Sequence, residues 1–404
     1  MPMPSPDWSS GLPKELLEII AKKLSSGHDA AAFRSVCSPW RAALPFAAFV
    51  PLLMLPFDPL SPAPETKATT ALTLYSLEKD KVFAMALPEL GGKVVCGSSR
   101  GWLALMDEAA SVTLLNPFTG GRVALPPADE RVAAASSKTV APVLADAGRR
   151  RWELRRSSGG VELVTLDMMR DVFFREIVLS SSPGKNSGDM VAMAVLADSS
   201  EVAFCRVGEK EWTLAETYVG CCICAVVHCQ GEFIAIGCLG EISVISRIIA
   251  GENVRPPTAR PMSLLPEPAD MCHRSYLVLN GHLHLVGFAL RVFHSEWPFD
   301  HQAVVYRCDL TAGETPVWSM VADVGDTGMF VSKYFSLGFG GASVSKIKRN
   351  CIYLSEPRYS DQGEEVGDHS PELVDLTTGN SEEIGNPAMQ GLEALCWIRP
   401  NLWT

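Results

Sequence analysis

The residues best suited to chemistry in this chain are a serine between glycines, a group of cysteines and a pair of histidines. Gly97-Ser98-Ser99-Arg100-Gly101 matches the G-x-S-x-G pattern that presents the nucleophile of many hydrolases. That arrangement needs a strand before the serine and a helix after it, whereas the next residues, WLALM, favour a strand. We therefore predict a glycine-bounded hairpin turn at this position.

The cysteine group has zinc-ligand residue types and one C-x-x-C spacing: Cys221, Cys222, Cys224 and Cys229, with His228 among them. Zinc sites place such pairs on tight turns and need a second pair elsewhere. The segment CCICAVVHC is instead largely apolar, which predicts one buried strand whose free cysteines behave as small apolar residues. We expect no metal and no cofactor.

Two further motifs have simple structural interpretations. His282 and His284 alternate in NGHLHLVG, so both imidazoles fall on one face of a strand, and we expect solvent-facing or hydrogen-bonded side chains. Gly338-Phe339-Gly340-Gly341 lacks the lysine and the following helix of a phosphate loop, which predicts a bulge or turn. We therefore expect a protein that is not an enzyme.

The strongest local charge is a run of arginines, Arg149, Arg150, Arg151, Arg155 and Arg156. Guanidinium groups bind carboxylates or phosphates in a bidentate manner. A solvated hairpin is the simplest interpretation. The alternatives are a docking site for an acidic or phosphorylated target and a nuclear-import signal.

The elements that must position these residues fall into two parts. The segment from Trp8 to Leu44 predicts three short helices, the last of which starts with Ser38 as cap and Pro39 at its first position. Along the first helix, apolar residues recur at helical spacing, at Leu16, Leu17, Ile20 and Leu24. So short a unit cannot bury all of its apolar surface, so we expect a protein partner to cover it.

From about residue 70 the pattern changes to short apolar runs separated by Gly, Asn, Asp and Ser turns. Two features repeat. An Asx residue four positions before a glycine, at 116–120, 309–313 and 375–379, predicts a hairpin turn, and a Trp-x-Leu/Met element at 152, 212 and 318 predicts a strand. Repeated multi-strand units favour a mainly β protein with a β-propeller, with six blades favoured and seven as the alternative. We place blades at 94–126, 160–216, 222–256, 274–323 and 334–386, and build the last from 70–90 and the C-terminal strand. A pair of β-sandwiches is the second choice.

Composition excludes several classes of protein. The net charge is −11 over 404 residues, which argues against a nucleic-acid binder. The longest uncharged run, Ala42 to Phe57, is short for a bilayer and contains three prolines, so we expect no membrane span. Twelve cysteines without framework spacing favour a reducing compartment, the cytoplasm and/or the nucleus.

The predicted domain boundaries are 8–48 for the helical unit, 49–69 for a proline-rich connector and 70–400 for the propeller.

The helical segment resembles the F-box, a module that docks a Skp-type adaptor and through it a cullin and a ubiquitin-transferring unit. The resemblance lies in LPxELL and VCxxWR at a fitting distance. It implies adaptor-binding or module-core roles for Leu12, Pro13, Leu16, Leu17, Ile20, Leu24, Val36, Cys37, Trp40 and Arg41. The other interpretation is a helical cap packed on the rest of the same chain.

The segments GSSRGWL, LLNPFTGGRVALPP, EIVLSSSP, AFCRVGEKEW and KRNCIYLSE occur in order. As a set they resemble the propeller that follows an F-box in a large plant family, some of whose members bind and inactivate a protein kinase. The resemblance implies a substrate-recognition subunit of a Skp-cullin-F-box ubiquitin ligase with an unknown protein substrate. The alternatives are a ligase-independent inhibitor, for example of a kinase, and a propeller enzyme or small-molecule sensor.

Overall fold

The structure, a computed structural model, describes residues 12–22, 33, 36–44, 50–55, 71–144, 150–184, 189–246, 258–262, 271–291, 300–310, 317–332, 335–340, 347–355, 371–385 and 396–401. The α-helices of these residues are α1 (Lys14–Lys22), α2 (Ser38–Ala43), α3 (Glu130–Ala135) and α4 (Met169–Val172), and Pro88–Leu90 is a 3-10 helix. No helix in these ranges is long and apolar enough to cross a membrane.

Most of the remaining described residues form seven sheets. Sheet 1 contains β1 (Leu52–Met54), β2 (Ala71–Ser76) and β3 (Lys81–Ala86); sheet 2 contains β4 (Lys93–Ser99), β5 (Trp102–Asp107), β6 (Val112–Leu115) and β7 (Arg122–Leu125); and sheet 3 contains β8 (Thr139–Leu144), β9 (Arg150–Arg155) and β10 (Val161–Leu163). Sheet 4 contains β11 (Phe174–Leu179), β12 (Val191–Leu196), β13 (Glu201–Arg206) and β14 (Thr213–Glu216), and sheet 5 contains β15 (Ile223–Cys229), β16 (Glu232–Gly237), β17 (Ile242–Ser246) and β18 (Thr258–Met262).

Sheet 6 contains β19 (Met271–Leu279), β20 (His282–Arg291), β21 (Asp300–Asp309) and β22 (Val317–Met320). Sheet 7 contains β23 (Thr327–Ser332), β24 (Leu337–Gly340), β25 (Cys351–Ser355), β26 (Glu372–Asp375) and β27 (Ser381–Glu383). The C-terminal strand β28 (Cys396–Ile398) completes sheet 1.

Contacts between the first strands of the sheets give the molecule a propeller-like arrangement. Strand β4 lies against β28 and β11, β11 against β15, β15 against β19, and β19 against β24. Strand β23, the neighbour of β24 in sheet 7, contacts β28 of sheet 1. The contacts therefore form a closed circuit of sheets. Sheet 3 packs with sheets 2 and 4 through one apolar cluster that includes the buried side chains of Val140 and Trp152.

The repeated Asx-glycine element forms the turn that the sequence predicts. The Asn116 side-chain oxygen accepts hydrogen bonds from the backbone N–H groups of Phe118 and Thr119, and Gly120 adopts a φ of +72°. Asp375 and Gly379 repeat these features, with a φ of +75° at the glycine. Such a φ strains residues that carry a Cβ, which explains the glycine in these two copies, and Gly313 of the third copy lies outside the described residues.

The serine-glycine motif also forms its predicted turn. Arg100 and Gly101 join β4 to β5 with φ values of +56° and +79°, which is a two-residue hairpin turn and not a strand-to-helix elbow.

The prediction of a bulge or turn at Gly338 is wrong, because Gly338 lies inside strand β24. A Cβ there would come within 2.8 Å of the Val278 backbone oxygen, so the glycine lets β24 pack closely on β19.

Sheet 1 joins the first and the last strands of the chain that the structure describes. Strand β28 pairs with β1, and β1 pairs with β2. Strand β1 therefore lies between the C-terminal strand and the segment 70–90, which was predicted to form a blade with that strand directly. The residues predicted as a connector therefore supply a strand of the sheet. Trp397 is fully buried and its indole nitrogen donates to the Val331 backbone oxygen at 3.2 Å.

The predicted blade boundaries largely follow the sheets. Sheets 2, 4, 5, 6 and 7 fall close to the five predicted ranges, but β10 belongs to sheet 3, β18 extends to Met262 and β23 begins at Thr327. The region 131–160, which fits no predicted blade, supplies α3, β8 and β9. The strand element predicted at Trp152 lies in β9, whereas β8 was not predicted, because its exposed positions break the apolar pattern.

Candidate functional site

Helices α1 and α2 form a small unit with a core of its own. The buried side chains are Leu17, Ala21, Phe33 and Ala43, and Leu12, Trp40 and Leu44 pack against them. The rings of Phe33 and Trp40 lie 4.6 Å apart between centroids. Because Leu17 and Ala21 are four residues apart, they point to the same side of α1 and hold it against α2.

Other large apolar side chains of this unit are exposed. The exposed fractions are 46% for Leu16, 51% for Ile19, 37% for Ile20 and 50% for Val36. We call Leu16, Ile19 and Ile20, which share one side of α1, the exposed apolar face. Isolated apolar residues are common on protein surfaces, but three within one five-residue stretch of helix are the pattern expected of a helix that docks into a partner.

The structure divides the residues that the sequence grouped together. Leu16 and Ile20 are exposed, whereas Leu17 belongs to the internal core. Leu12 and Trp40 support that core, Pro13 accepts the first backbone hydrogen bonds of α1, and Cys37 is half-buried. Arg41 lies in α2, and Leu24 lies outside the described residues. Ile19 was missed, although its position three residues after Leu16 signals the same side of the helix.

Helix α2 begins one residue away from the predicted cap. Cys37, with an extended backbone, takes the N-cap position and Ser38 is already helical. Ser38 was predicted as the cap because serine commonly fills this role. In the structure the cap makes no side-chain hydrogen bond, so the first turn relies on Pro39, whose missing N–H leaves no donor unpaired there.

The arginine run lies mainly on β9, where carboxylates offset part of its charge. The Arg151 guanidinium donates to Glu108 at 3.0 Å and that of Arg156 donates to Glu162 at 2.8 Å. Arg150 lies over the ring of Trp152, 4.5 Å from its centroid. Arg155 is exposed, and Arg149 lies outside the described residues. The positive charge available to a target is therefore smaller than the sequence alone indicates.

The cysteine group is divided among different partners. Strand β15 begins at Ile223, so the prediction of one continuous strand from Cys221 is wrong at its start. The Cys221 thiol donates to Glu241 at 2.7 Å, whereas the Cys222 sulfur lies 3.1 Å from that of Cys238. Cys224 and Cys229 donate to the backbone oxygens of Ile236 and Gly281. Within the described ranges, no three His, Cys, Asp or Glu side chains are grouped as metal ligands.

The two alternating histidines have the simple structural role that their spacing predicts. His284 is buried on β20, and its Nδ1 lies 3.0 Å from the backbone oxygen of His282. Burial lowers the pKa of His284, so the imidazole is neutral at physiological pH.

A cavity of about 610 Å³ lies where the first strands of the sheets meet. Its walls include residues of β4, β11, β15, β19 and β24 and the residue after β28, so the cavity lies at the centre of the circuit of sheets. The charged and titratable side chains that line it include Arg100, Arg274, Arg399, Glu176 and His228. Sequence reasoning missed this site, because these residues are far apart in the chain and only the sheet order brings them together.

The mouth of this cavity carries a contact between two sheets that are not neighbours in the circuit. The Arg100 guanidinium lies 3.1 Å from Nδ1 of His228, and it donates to the backbone oxygen of Ser180 at 3.3 Å. Because arginine has no acceptor, the His228 Nδ1 must be unprotonated. Desolvation, and secondarily the charge of Arg100, lowers the pKa of His228 to about 4.

Comparison with known proteins identifies relatives of this chain. The family model of the KIB1-4 beta-propeller matches residues 74–377. The putative F-box protein At5g55150 of Arabidopsis thaliana is 24% identical over 82% of this chain and 80% of its own length. F-box protein SKIP23 of the same plant is 34% identical over 30% of this chain and 29% of its own length. Among solved structures, that of U3-55K covers 86% of this chain and 98% of its own at 10% identity and a TM-score of 0.32.

Proposed function

The chain belongs to the KIB1-4 beta-propeller family, and from this premise we propose that it is an F-box protein that acts as the substrate-recognition subunit of a Skp-cullin-F-box ubiquitin ligase. The names of its Arabidopsis relatives support the F-box part of the proposal. In this proposal the propeller binds a protein target, and the bond-forming chemistry belongs to the other subunits of the ligase.

The observation that carries the proposal is the exposed apolar face. The buried Leu17 belongs to a core within the helical unit. That core holds α1 against α2 without Leu16, Ile19 and Ile20. A partner that covers these side chains gains their burial from water, about 1.5–3 kcal/mol for each one fully buried. A Skp-type adaptor is the partner that the F-box resemblance implies.

Pull-down of a purified Skp-type adaptor by the full chain tests this proposal. We expect the double variant Leu16→Asp/Ile20→Asp to bind at least about 100-fold more weakly, because central apolar contacts dominate interface energies. The matched control is Val161→Asp/Leu163→Asp, which charges two exposed apolar residues on β10, outside the helical unit. Equal adaptor binding by both double variants would contradict the proposal.

We further infer that the propeller has six blades, formed by sheets 1, 2, 4, 5, 6 and 7, and that sheet 3 is an insertion between the second and third blades. The first-strand contacts support this order, since β4 lies directly against β11 although sheet 3 intervenes in sequence. Deletion of 136–164 with a short linker should lower the free energy of unfolding, because it removes Val140 and Trp152 from the cluster shared with sheets 2 and 4, but it should keep a single cooperative transition. A folded deletion variant in which sheets 2 and 4 unfold separately would contradict the inference.

We place the protein in the cytoplasm and/or the nucleus. The eleven cysteines whose side chains the structure describes are free thiols, which suits a reducing compartment. Imaging of a fluorescent fusion tests this placement, and a secreted fusion would contradict it.

A further inference from the structure

The cavity at the centre of the sheets has the size of a small-molecule site. Its volume of about 610 Å³ lies within the range of about 300–1,000 Å³ that is usual for ligand pockets. Its walls are formed by strands of several sheets, and each of these strands is hydrogen-bonded within its own sheet. A site built on such strands is already formed before a ligand arrives.

Three arginines line this cavity, each from a different sheet: Arg100 after β4, Arg274 on β19 and Arg399 after β28. Desolvation lowers the pKa of Arg100 and of Arg399, yet a guanidinium remains charged in proteins. The hydrogen bonds of Arg100 run to neutral groups, the backbone oxygens of Leu179 and Ser180 and the imidazole of His228. A protein of net charge −11 thus concentrates positive charge at its centre.

The acidic group described on the cavity wall does not cancel this charge. Glu176 lies on β11, where desolvation raises the pKa of its carboxyl group to about 8, although the charge of Arg170 opposes the shift. A carboxyl group with that pKa is largely protonated at neutral pH. The neutral acid can donate a hydrogen bond to an anion beside it, as a protonated carboxyl does in other buried sites.

Apolar side chains complete the lining. Val178, Val278 and Leu337 lie on β11, β19 and β24, and each is half-buried, so it presents part of its surface to the cavity. Apolar walls with a few convergent charged groups are typical of pockets for organic ligands, whose polar end is oriented by the charges.

We propose that this cavity binds a small organic anion whose carboxylate or phosphate group is held by Arg100, Arg274 and Arg399 and whose apolar part lies against the inner strands. Arginine suits both head groups, since its planar guanidinium pairs with two oxygens of either. The proposal stands on the cavity alone and does not depend on adaptor binding.

Calorimetric titration of the full chain with three matched probes tests this site: phenyl phosphate, benzoate and neutral benzamide, at constant ionic strength. We expect at least one anion to bind with one-to-one stoichiometry and at least tenfold more tightly than benzamide. Binding of phenyl phosphate alone assigns a phosphate ligand, and binding of benzoate alone assigns a carboxylate. Failure of both anions to saturate, or equal binding of benzamide, would overturn the proposal.

Variants tie the binding to the cavity. Arg274→Gln is expected to weaken anion binding at least tenfold, whereas Arg122→Gln, the same change at an exposed arginine of β7 outside the cavity, leaves the dissociation constant unchanged. Unchanged binding by a folded Arg274→Gln variant would also overturn the proposal. If that variant does not fold, Arg100→Gln takes its place at the cavity mouth. Adaptor pull-down by Arg274→Gln should be normal, which separates this result from the test of ligase function.

Discussion

Arg100 and His228 contact each other across the mouth of the central cavity, with 3.1 Å between a guanidinium nitrogen and the imidazole Nδ1. Arg100 is in the first hairpin of sheet 2 and His228 is in the first strand of sheet 5, and sheet 4 lies between these sheets in the circuit. The contact therefore depends on the order of the sheets around the cavity and not on local sequence. It also ties the protonation of His228 to the folded state.

We predict that His228 makes the protein less stable in mild acid. Its pKa is about 4 in the folded protein, against 6.5 for the free side chain, so the unfolded chain binds more protons between these values. Stability must then fall as the pH is lowered from about 6.5 to about 4, by about 1–3 kcal/mol from this residue. Urea unfolding across this range should show a weaker pH dependence for His228→Asn than for the native protein.

A His228→Asn variant that keeps the native pH profile would contradict this prediction, since it would show that His228 does not carry the acid sensitivity.

Glu176 should produce the opposite dependence at higher pH. Burial raises its pKa from 4.5 to about 8, so the folded protein holds a proton that the unfolded chain releases between these values. Stability therefore falls as the pH rises through this window. Glu176→Gln, which cannot ionise, should be more stable than the native protein at pH 8.5, and Glu383→Gln, at an exposed position, should not. Denaturant unfolding at pH 6 and pH 8.5 makes the comparison, and a lower stability of Glu176→Gln at pH 8.5 would refute it.

Gly101 should tolerate a methyl group far less well than Gly120. Both have positive φ values, +79° and +72°, so alanine at either costs about 1–2 kcal/mol of backbone energy. A Cβ at Gly101 would also come within 2.6 Å of the Arg399 backbone oxygen and would overlap Asn401, whereas no atom lies within 4 Å of a Cβ at Gly120. Gly101→Ala should therefore lower the free energy of unfolding by at least about 2 kcal/mol more than Gly120→Ala. Equal losses would show that the C-terminal segment does not pack on this turn.

Leu16 and Leu17 should have different roles although they are adjacent. Leu17 is 2% exposed and Leu16 is 46% exposed. Leu17→Ala should destabilise the helical unit by about 2–5 kcal/mol, because it leaves a cavity in its core. Leu16→Ala should leave helix α1 intact. Hydrogen exchange of the amides in Lys14–Lys22 distinguishes the two, and faster exchange in Leu16→Ala than in Leu17→Ala would reverse the assignment.

Local patterns in the sequence determined the class of elements and the family of this protein. The Asx residues 116 and 375 and their glycines predicted tight turns because the required hydrogen bonds and φ values involve neighbours only. The spacing of Leu16, Leu17 and Ile20 predicted an apolar helix for the same reason. The spacing could not say that Leu17 would face inward and Leu16 outward, since that depends on where Phe33 and Trp40 lie.

Only the tertiary structure decided what lies at the centre. Arg100, Arg274 and Arg399 have no periodic relation in the chain, and they line one cavity because β4, β19 and β28, which belong to sheets 2, 6 and 1, all border the centre of the circuit. The tertiary structure likewise placed β1 between β28 and β2, and it required Gly338 to be a glycine by packing β24 on β19. Residue type and local spacing encode turns and the apolar faces of helices, whereas a site made by distant strands exists only once the sheets have closed into a circuit.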